Sequence, residues 1–275
     1  MSLVGKTIAF IGSGVMAEAA IKGILKKDGI IGNQIIASDP HPERGQQLVD
    51  TYGLRFTSNN SEAAQAGDIV VLSVKPQVMG KVLLDLIGHL TPGTLVLSIA
   101  AGVKITMLAK GSGTNCIVRS MPNTPGQIGQ GMTVWTATPD VKDEQRQWAE
   151  EILGALGATL YVGEEKYLDM ATALNGSGPS YVFLLMEAMI DAGVHLGFSR
   201  QDSQRLVQET MLGSVQYAIS EGLHPADLRN QVTSPGGTSA AALYQLEKGG
   251  IRTVISKAIW AAYNRSVELG EQEDG

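Results

Sequence analysis

The feature that most constrains this chain is an alternation that runs through its first 163 residues. Compact apolar runs of strand length take turns with segments of helical periodicity. "KTIAFIG" (6–12) precedes "SGVMAEAAIKGILKK" (13–27), and "QIIASD" (34–39) precedes "PERGQQLVDTY" (42–52). "LRFTS" (54–58) and "DIVVLSV" (68–74) follow, then "PQVMGKVLLDLIGHL" (76–90), a helix with proline in its first turn. "TLVLSIAAG" (94–102) and "CIVRSM" (116–121) are further strands. Continuous Val/Ile/Leu runs are what a strand needs when both of its faces are covered. The pattern therefore predicts an α/β fold with a parallel sheet between helical layers. "GMTVWTAT" (131–138) and "ATLYVG" (158–163) extend the sheet around a helix at 143–157.

After Gly163 the strand signal stops. Residues 179–197, 200–220 and 249–270 all read as helices, so the sequence divides into an α/β part, 1–163, and an all-helical part, 164–275. The helix at 179–197 is apolar almost all round and is expected to be buried, plausibly against a second subunit. The polar tail "EQEDG" (271–275) is expected to fray.

Composition narrows the function. The chain has 275 residues, 44% hydrophobic and 17% charged, with net charge −6. An acidic protein lacks the basic face that nucleic acid requires. No run of ~18 residues is apolar enough throughout for a membrane helix, and with a strand so near the N-terminus no leader is expected. The single cysteine, Cys116, reads as a buried core residue in a reducing, cytoplasmic setting.

The first strand–helix turn carries chemistry. "GSGVMA" places Gly12, Ser13, Gly14, Val15, Met16 and Ala17 in a G-x-G-x-x-A pattern. Gly12 permits the tight turn, Gly14 lets backbone approach a pyrophosphate, and Ala17 lets the helix pack close to the sheet. The 1–163 part is thus expected to be a Rossmann-type dinucleotide-binding domain. Asp39, 22 residues after Ala17 at the end of the second strand, can bond the adenosine ribose and repel a 2′-phosphate, which favours NADH. Ser38, His41 and Arg44 are near enough in sequence to accommodate a phosphate, so NADPH stays open. Asn60, the "SVKPQ" loop with Val74, Lys75 and Pro76, the small residues Ala100 and Ala101, and Pro122 with Asn123 complete the candidate cofactor set.

The helical part holds one loop that helix connection alone does not explain. "QVTSPGGTS" (231–239) is uncharged, and Gly236 and Gly237 leave backbone N–H groups free to bind something.

"GSGVMA", "SVKPQ", "IAAG", "MPNTP", "NGSGPSYVF" and "SPGGTS", in this order across nearly the whole chain, resemble pyrroline-5-carboxylate reductase. The resemblance implies a helical dimerisation domain after the Rossmann domain, an active site at the dimer interface, and dimers that assemble further into decamers. It implies hydride transfer from NADH or NADPH to the C=N carbon of 1-pyrroline-5-carboxylate, giving L-proline. It assigns the substrate carboxylate to Ser234, Gly236, Gly237, Thr238 and Ser239, and the pocket wall to Ser177 and Gly178. Relatives commonly have Thr where this chain has Ser239. A hydroxyl, Ser239 or Thr238, or a water, is the candidate hydrogen-bond partner of the ring nitrogen. Tyr181 and Phe183 are expected in packing.

The four histidines show no metal-ligand spacing. Two other readings are a β-hydroxyacid dehydrogenase of related fold and a nucleotide-sensing protein without catalysis. The first resembles a family with a lysine on the long interdomain helix, and 174–193 contains none. The second has no use for a substrate carboxylate loop.

Overall fold

The structure, a computed structural model, describes residues 2–272. Its apolar runs become eight strands: β1 Ile8–Ile11, β2 Ile35–Ser38, β3 Arg55–Thr57, β4 Ile69–Leu72, β5 Leu95–Ser98, β6 Ile117–Met121, β7 Gly131–Ala137 and β8 Gly157–Tyr161. They form one sheet in the order 3-2-1-4-5-6-7-8. Ile8 of β1 lies opposite Ile35 of β2 on one side and Ile69 of β4 on the other, all parallel. The direction of winding reverses between β1 and β4, and open α/β sheets bind ligands at the carboxyl ends beside such a reversal.

The expected parallel sheet needs one correction. β7 runs antiparallel to β6, with Met121 opposite Val134. Only residues 122–130 join the two, as a loop with a 3-10 turn at Thr124–Ile128. That is too short for the crossover helix a parallel pair requires.

Helices α1 Val15–Ile24, α2 Pro42–Tyr52, α3 Asn60–Ala66, α4 Pro76–Leu86, α5 Ile105–Ser112 and α6 Asp143–Leu153 cover the sheet. Side chains alternate along each strand, so β1 sends Ile8 and Phe10 to one layer and Ala9 and Ile11 to the other. Ile21, Leu48 and Trp148 pack in the first layer, and Met79, Leu86 and Leu108 in the second. α3 and α5 are short helices that the apolar pattern did not announce. Asn59 starts α3 by accepting from the Ser61 N–H at 2.9 Å.

The rest is helical: α7 Lys166–Ala171, a π-helical turn Thr172–Gly176, α8 Gly178–His195, α9 Arg200–Glu221, α10 Pro225–Gln231, α11 Thr238–Lys248 and α12 Ile251–Gln272. The chain forms two compact units, one running to Pro179 and including the chain from Ala262, the other Ser180–Ala261. Residues 164–179, helical in the sequence pattern, thus belong to the first unit, where Leu168 and Ala171 are buried with Val134. In the second unit α8 has no buried residue, and Phe183 is 56% exposed. The burial its composition calls for is not met within one chain. α12 reaches Gln272, so the tail expected to fray from 271 is helical for two residues more; residues 273–275 lie outside the described ones.

Candidate active site

The β1–α1 turn is built as its glycines require. Gly12 has φ +91°, a left-handed conformation that a side chain resists. A Cβ there would fall 2.6 Å from Val74 Cγ1. The turn is held between two strand ends: the Gly12 N–H donates to Ser38 O at 2.8 Å, and Ser73 Oγ donates to Gly12 O at 2.7 Å. Gly14 starts α1 with no side-chain cap, and a Cβ on it would meet nothing within 4 Å. Open space therefore lies where helix N–H groups and the positive end of the helix dipole face outward, the arrangement that suits a pyrophosphate. Ala17 is fully buried beneath, Met16 half-buried and Val15 exposed.

A cleft of about 530 Å³ extends from this turn over the ends of β2 and β4. Its wall includes Gly12, Ser13, Gly14, Asp39, Asn60 and Lys75, with Val74 beside them. This size and residue set fit an adenosine with its phosphates. Pro76 opens α4 at the rim.

Asp39 faces the turn. Its Oδ2 accepts from the Ser13 N–H at 3.0 Å, and its Oδ1 accepts from the His41 N–H at 3.1 Å and lies 2.9 Å from His41 Nδ1. Burial works against the charge of this carboxyl, but the bonds from His41 and Ser13 outweigh it and hold the group below its ordinary range. It is therefore an anion near neutral pH.

The three neighbours suggested as phosphate ligands each already hold a partner. Ser38 Oγ donates to Asn60 Oδ1 at 2.7 Å, and the His41 ring engages Asp39. Arg44 Nε donates to Ser13 O at 2.9 Å, and its Nη2 pairs with Glu18. Asn60 is likewise engaged, donating to Asp85 Oδ2 at 2.9 Å. Asp85 and Glu18 were not found from the sequence, because each is one more polar residue on an amphipathic helix.

Ala100, Ala101, Pro122 and Asn123 lie at the carboxyl ends of β5 and β6, outside this cleft. Ala100 and Pro122 are buried and Ala101 half-buried. The Asn123 side chain is turned into the protein: its Oδ1 accepts from the Met132 N–H at 2.9 Å and its Nδ2 donates to Asn175 Oδ1 at 2.9 Å. It serves the loop, and only its backbone is left to face a ligand. Asn175 is a residue the sequence reading passed over; its signal is an Asn directly before the "GSG" that opens α8. There the Ser177 N–H donates to Thr172 O at 2.8 Å, closing the π-helical turn, and Gly178 begins α8. Gly176 has no room for a side chain, since a Cβ would run into Met121 Cε.

In the second unit, Ser234-Pro235-Gly236-Gly237 is a turn closed by the Gly237 N–H on Ser234 O at 3.1 Å. Pro235 and Gly236, with φ +73° at the glycine, match a type II turn. α11 begins at once, with Gly237 as its uncapped N-terminal residue and Thr238 and Ser239 in its first turn. The first N–H groups of a helix have no partner within it. The loop thus gathers these donors and two hydroxyls at the N-terminus of an eleven-residue helix, a neutral seat for a small carboxylate. Thr238 starts the helix, and that is what orients the donors.

Known proteins match this chain throughout. Residues 165–269 match the family model for pyrroline-5-carboxylate reductase dimerisation, and residues 7–102 that for NADP oxidoreductase, coenzyme F420-dependent. The pyrroline-5-carboxylate reductase of Pseudomonas aeruginosa is 42% identical over 96% of this chain and 97% of its own length. That of Synechocystis is 40% identical over 96% of this chain and 98% of its own. A solved pyrroline-5-carboxylate reductase from Coxiella burnetii is similar with a TM-score of 0.89 at 36% identity, covering 96% of this chain and 98% of that one. One from Plasmodium falciparum, solved with NADP bound, gives 0.87 at 32% identity, covering 97% and 98%. Identity at this level along both whole chains carries fold and family together: this chain belongs to the pyrroline-5-carboxylate reductase family.

Proposed function

We propose that this chain is a homo-oligomeric reductase of 1-pyrroline-5-carboxylate that uses NADH or NADPH and yields L-proline, the last step of proline biosynthesis. Among features of the structure, the turn Ser234–Gly237 at the start of α11 carries the reading. It offers a small carboxylate several N–H donors without a competing cation, which suits a substrate whose ring nitrogen is itself positive when protonated. A reduced nicotinamide supplies the hydride that adds to the imine carbon.

The protein's own task is positioning, since a protonated imine is already electrophilic. Ser234, Gly236 and the first N–H groups of α11 hold the carboxylate, with Thr238 and Ser239 adding hydroxyls; the Gly237 N–H, expected to be free, is taken by Ser234 O, and Gly237 shapes the turn. One of those hydroxyls, Ser239 by preference, also hydrogen-bonds the ring nitrogen. Gly12, Ser13, Gly14 and the first turn of α1 hold the pyrophosphate. Asp39 takes the ribose, so NADH is the favoured partner. Lys75 offers a cation at the cleft, while Ala100, Ala101, Ser177 and Gly178 leave room for the flat ring. Residues 1–163 serve the cofactor and 164–275 dimerisation and substrate, although 164–179 and the chain from Ala262 pack within the first unit. A second copy covers the exposed apolar side chains of α8, and the dimers assemble further, up to a decamer, in the cytoplasm.

The test is oxidation of NADH, followed at ~340 nm, with pyrroline-5-carboxylate and repeated with NADPH. Formation of proline is the expected result. Folded, dimeric protein that turns over neither cofactor would leave the family standing and remove this substrate.

A further inference from the structure

We infer that Glu18 is a positioning residue for cofactor choice: it holds the Arg44 guanidinium against α1 and so keeps that cation from serving a 2′-phosphate. The inference rests on the reading of the β1–α1 turn as a dinucleotide site. Ser13 joins the two sides of the argument. Its N–H donates to Asp39, the ribose acceptor, and its carbonyl accepts from Arg44 Nε at 2.9 Å. The guanidinium therefore lies next to the place where a 2′-phosphate would arrive. Arginine is the side chain best shaped to grip a phosphate with two parallel bonds. Here three of its five N–H donors are engaged and the group is pinned in place: Nε on Ser13 O, Nη1 on Gln47 Oε1 at 2.8 Å, and Nη2 on Glu18 Oε2.

The clamp is built from two helices. Glu18 stands on α1 directly after the G-x-G-x-x-A stretch, and its second oxygen accepts from Tyr52 Oη at 3.0 Å, at the end of α2. Both members of the Arg44–Glu18 pair are mostly sheltered, with side chains 23% and 30% exposed. The Arg44 bond, with help from Tyr52, holds the Glu18 carboxyl below its ordinary range against the opposing effect of burial, so the pair stays charged. Asp39 repels a 2′-phosphate, and Glu18 withholds the residue that would attract it.

The experiment compares Glu18→Gln with the native protein in binding 5′-AMP and 2′,5′-ADP, which differ only in the 2′-phosphate, and in the NADPH/NADH ratio of kcat/KM. The expected result is that 2′,5′-ADP tightens ~10-fold relative to 5′-AMP, the weight of a freed charge-assisted bond. KM for NADPH falls in step while kcat holds. Glu18→Gln/Arg44→Gln loses the gain. An unchanged selectivity in folded Glu18→Gln, an equal change for both nucleotides, or a gain that survives in the double variant would each overturn the assignment. Should Glu18→Gln not fold, Arg44→Gln alone decides: selectivity should stay within ~2-fold, and a selective loss of 2′,5′-ADP would show that Arg44 already serves the phosphate. Native protein that binds neither nucleotide would sink the dinucleotide reading, and the role of Glu18 with it. Binding of 5′-AMP without the selectivity shift would sink only the role of Glu18.

Discussion

Asn123 donates its carboxamide N–H to Asn175 Oδ1 across 2.9 Å, tying the loop after β6 to the π-helical turn before α8. Asn175 completes the tie by donating to Met132 O at 2.9 Å and Met121 O at 3.3 Å. Asn175→Ala removes all three bonds and strands part-buried partners. The expected cost is about 2–3 kcal/mol, seen as a Tm lower by several degrees. Because this loop stands at the carboxyl end of the sheet beside the proposed nicotinamide site, kcat should also drop ~10-fold. A native Tm in thermal denaturation would show that the tie carries no weight.

Under the proposed function, Asp39 separates the two cofactors by charge. Its carboxyl is held ionised by His41 and Ser13 despite burial, so the reading has it repel a 2′-phosphate at any pH near neutrality. Asp39→Ala should raise the NADPH/NADH ratio of kcat/KM roughly 10-fold, about 1.4 kcal/mol. Loss of the Ser13 bond will lower both values together, so the ratio is the quantity to read. A ratio that stays put would show that Asp39 does not read the ribose.

Local signals were legible and long-range ones were not. The G-x-G-x-x-A turn was readable because its constraints are local, and Gly12 at φ +91° against Val74 is such a place. The same holds for the Pro-Gly-Gly turn before α11. The antiparallel β7 was not readable, because its apolar run looks the same in either direction and only the short connection at 122–130 fixes it. Side-chain partners were hidden as well. Arg44 could be seen near Asp39 in sequence, but Glu18 lies 26 residues from it and on another helix. Asn123 was placed in the cofactor set, and the partner that takes its side chain, Asn175, is 52 residues away.

Ser239 tests the substrate loop. It sits in the first turn of α11, among the N–H groups that have no partner within the helix. Ser239→Ala should lower kcat/KM for pyrroline-5-carboxylate about 10-fold, the worth of one hydrogen bond at ~1.4 kcal/mol, with KM for NADH unchanged. Ser239→Thr keeps the hydroxyl and adds a methyl that restricts its rotation, and should retain full activity. An alanine variant as active as the native protein would take Ser239 out of the site.

Arg119 makes the first unit depend on a buried cation. Its side chain is 3% exposed, 2.6 Å from Glu165 Oε1 and 3.6 Å from Asp169 Oδ1. Glu165 Oε1 also accepts from the Ile105 N–H at 2.7 Å, and Asp169 Oδ1 from Ser266 Oγ at 3.0 Å. One guanidinium thus links β6 with α7, and through the acids with α5 and α12. Arg119→Ala leaves two acids facing each other without their cation and should cost about 3 kcal/mol. Chemical denaturation at fixed protein concentration would read it. Arg119→Met, which keeps the apolar bulk, should recover little, since the acids remain. A methionine variant of native stability would show that packing, not charge, is what the site needs.

The acid limb of stability follows from the carboxyls at the cofactor turn. Glu18 is held below its ordinary range chiefly by Arg44, and Asp39 by His41 and Ser13 against the opposing effect of burial. A carboxyl with a depressed folded pKa binds its proton more readily in the unfolded chain. It therefore stabilises the fold fully above the unfolded value, about 4, and the contribution disappears as pH falls through the lower folded value. Tm should be level from pH 7 to about 5.5 and decline below about 4.5. Glu18→Gln removes one such group. It should melt below the native protein at pH 7, and the gap should narrow as pH falls below the unfolded value, about 4, through the depressed folded one, where the native carboxyl takes up its proton. Thermal melts of both proteins across this range, at one protein concentration, decide the matter. A gap that stays constant as pH falls below about 4 would mean that Glu18 contributes through shape and not through its charge on Arg44.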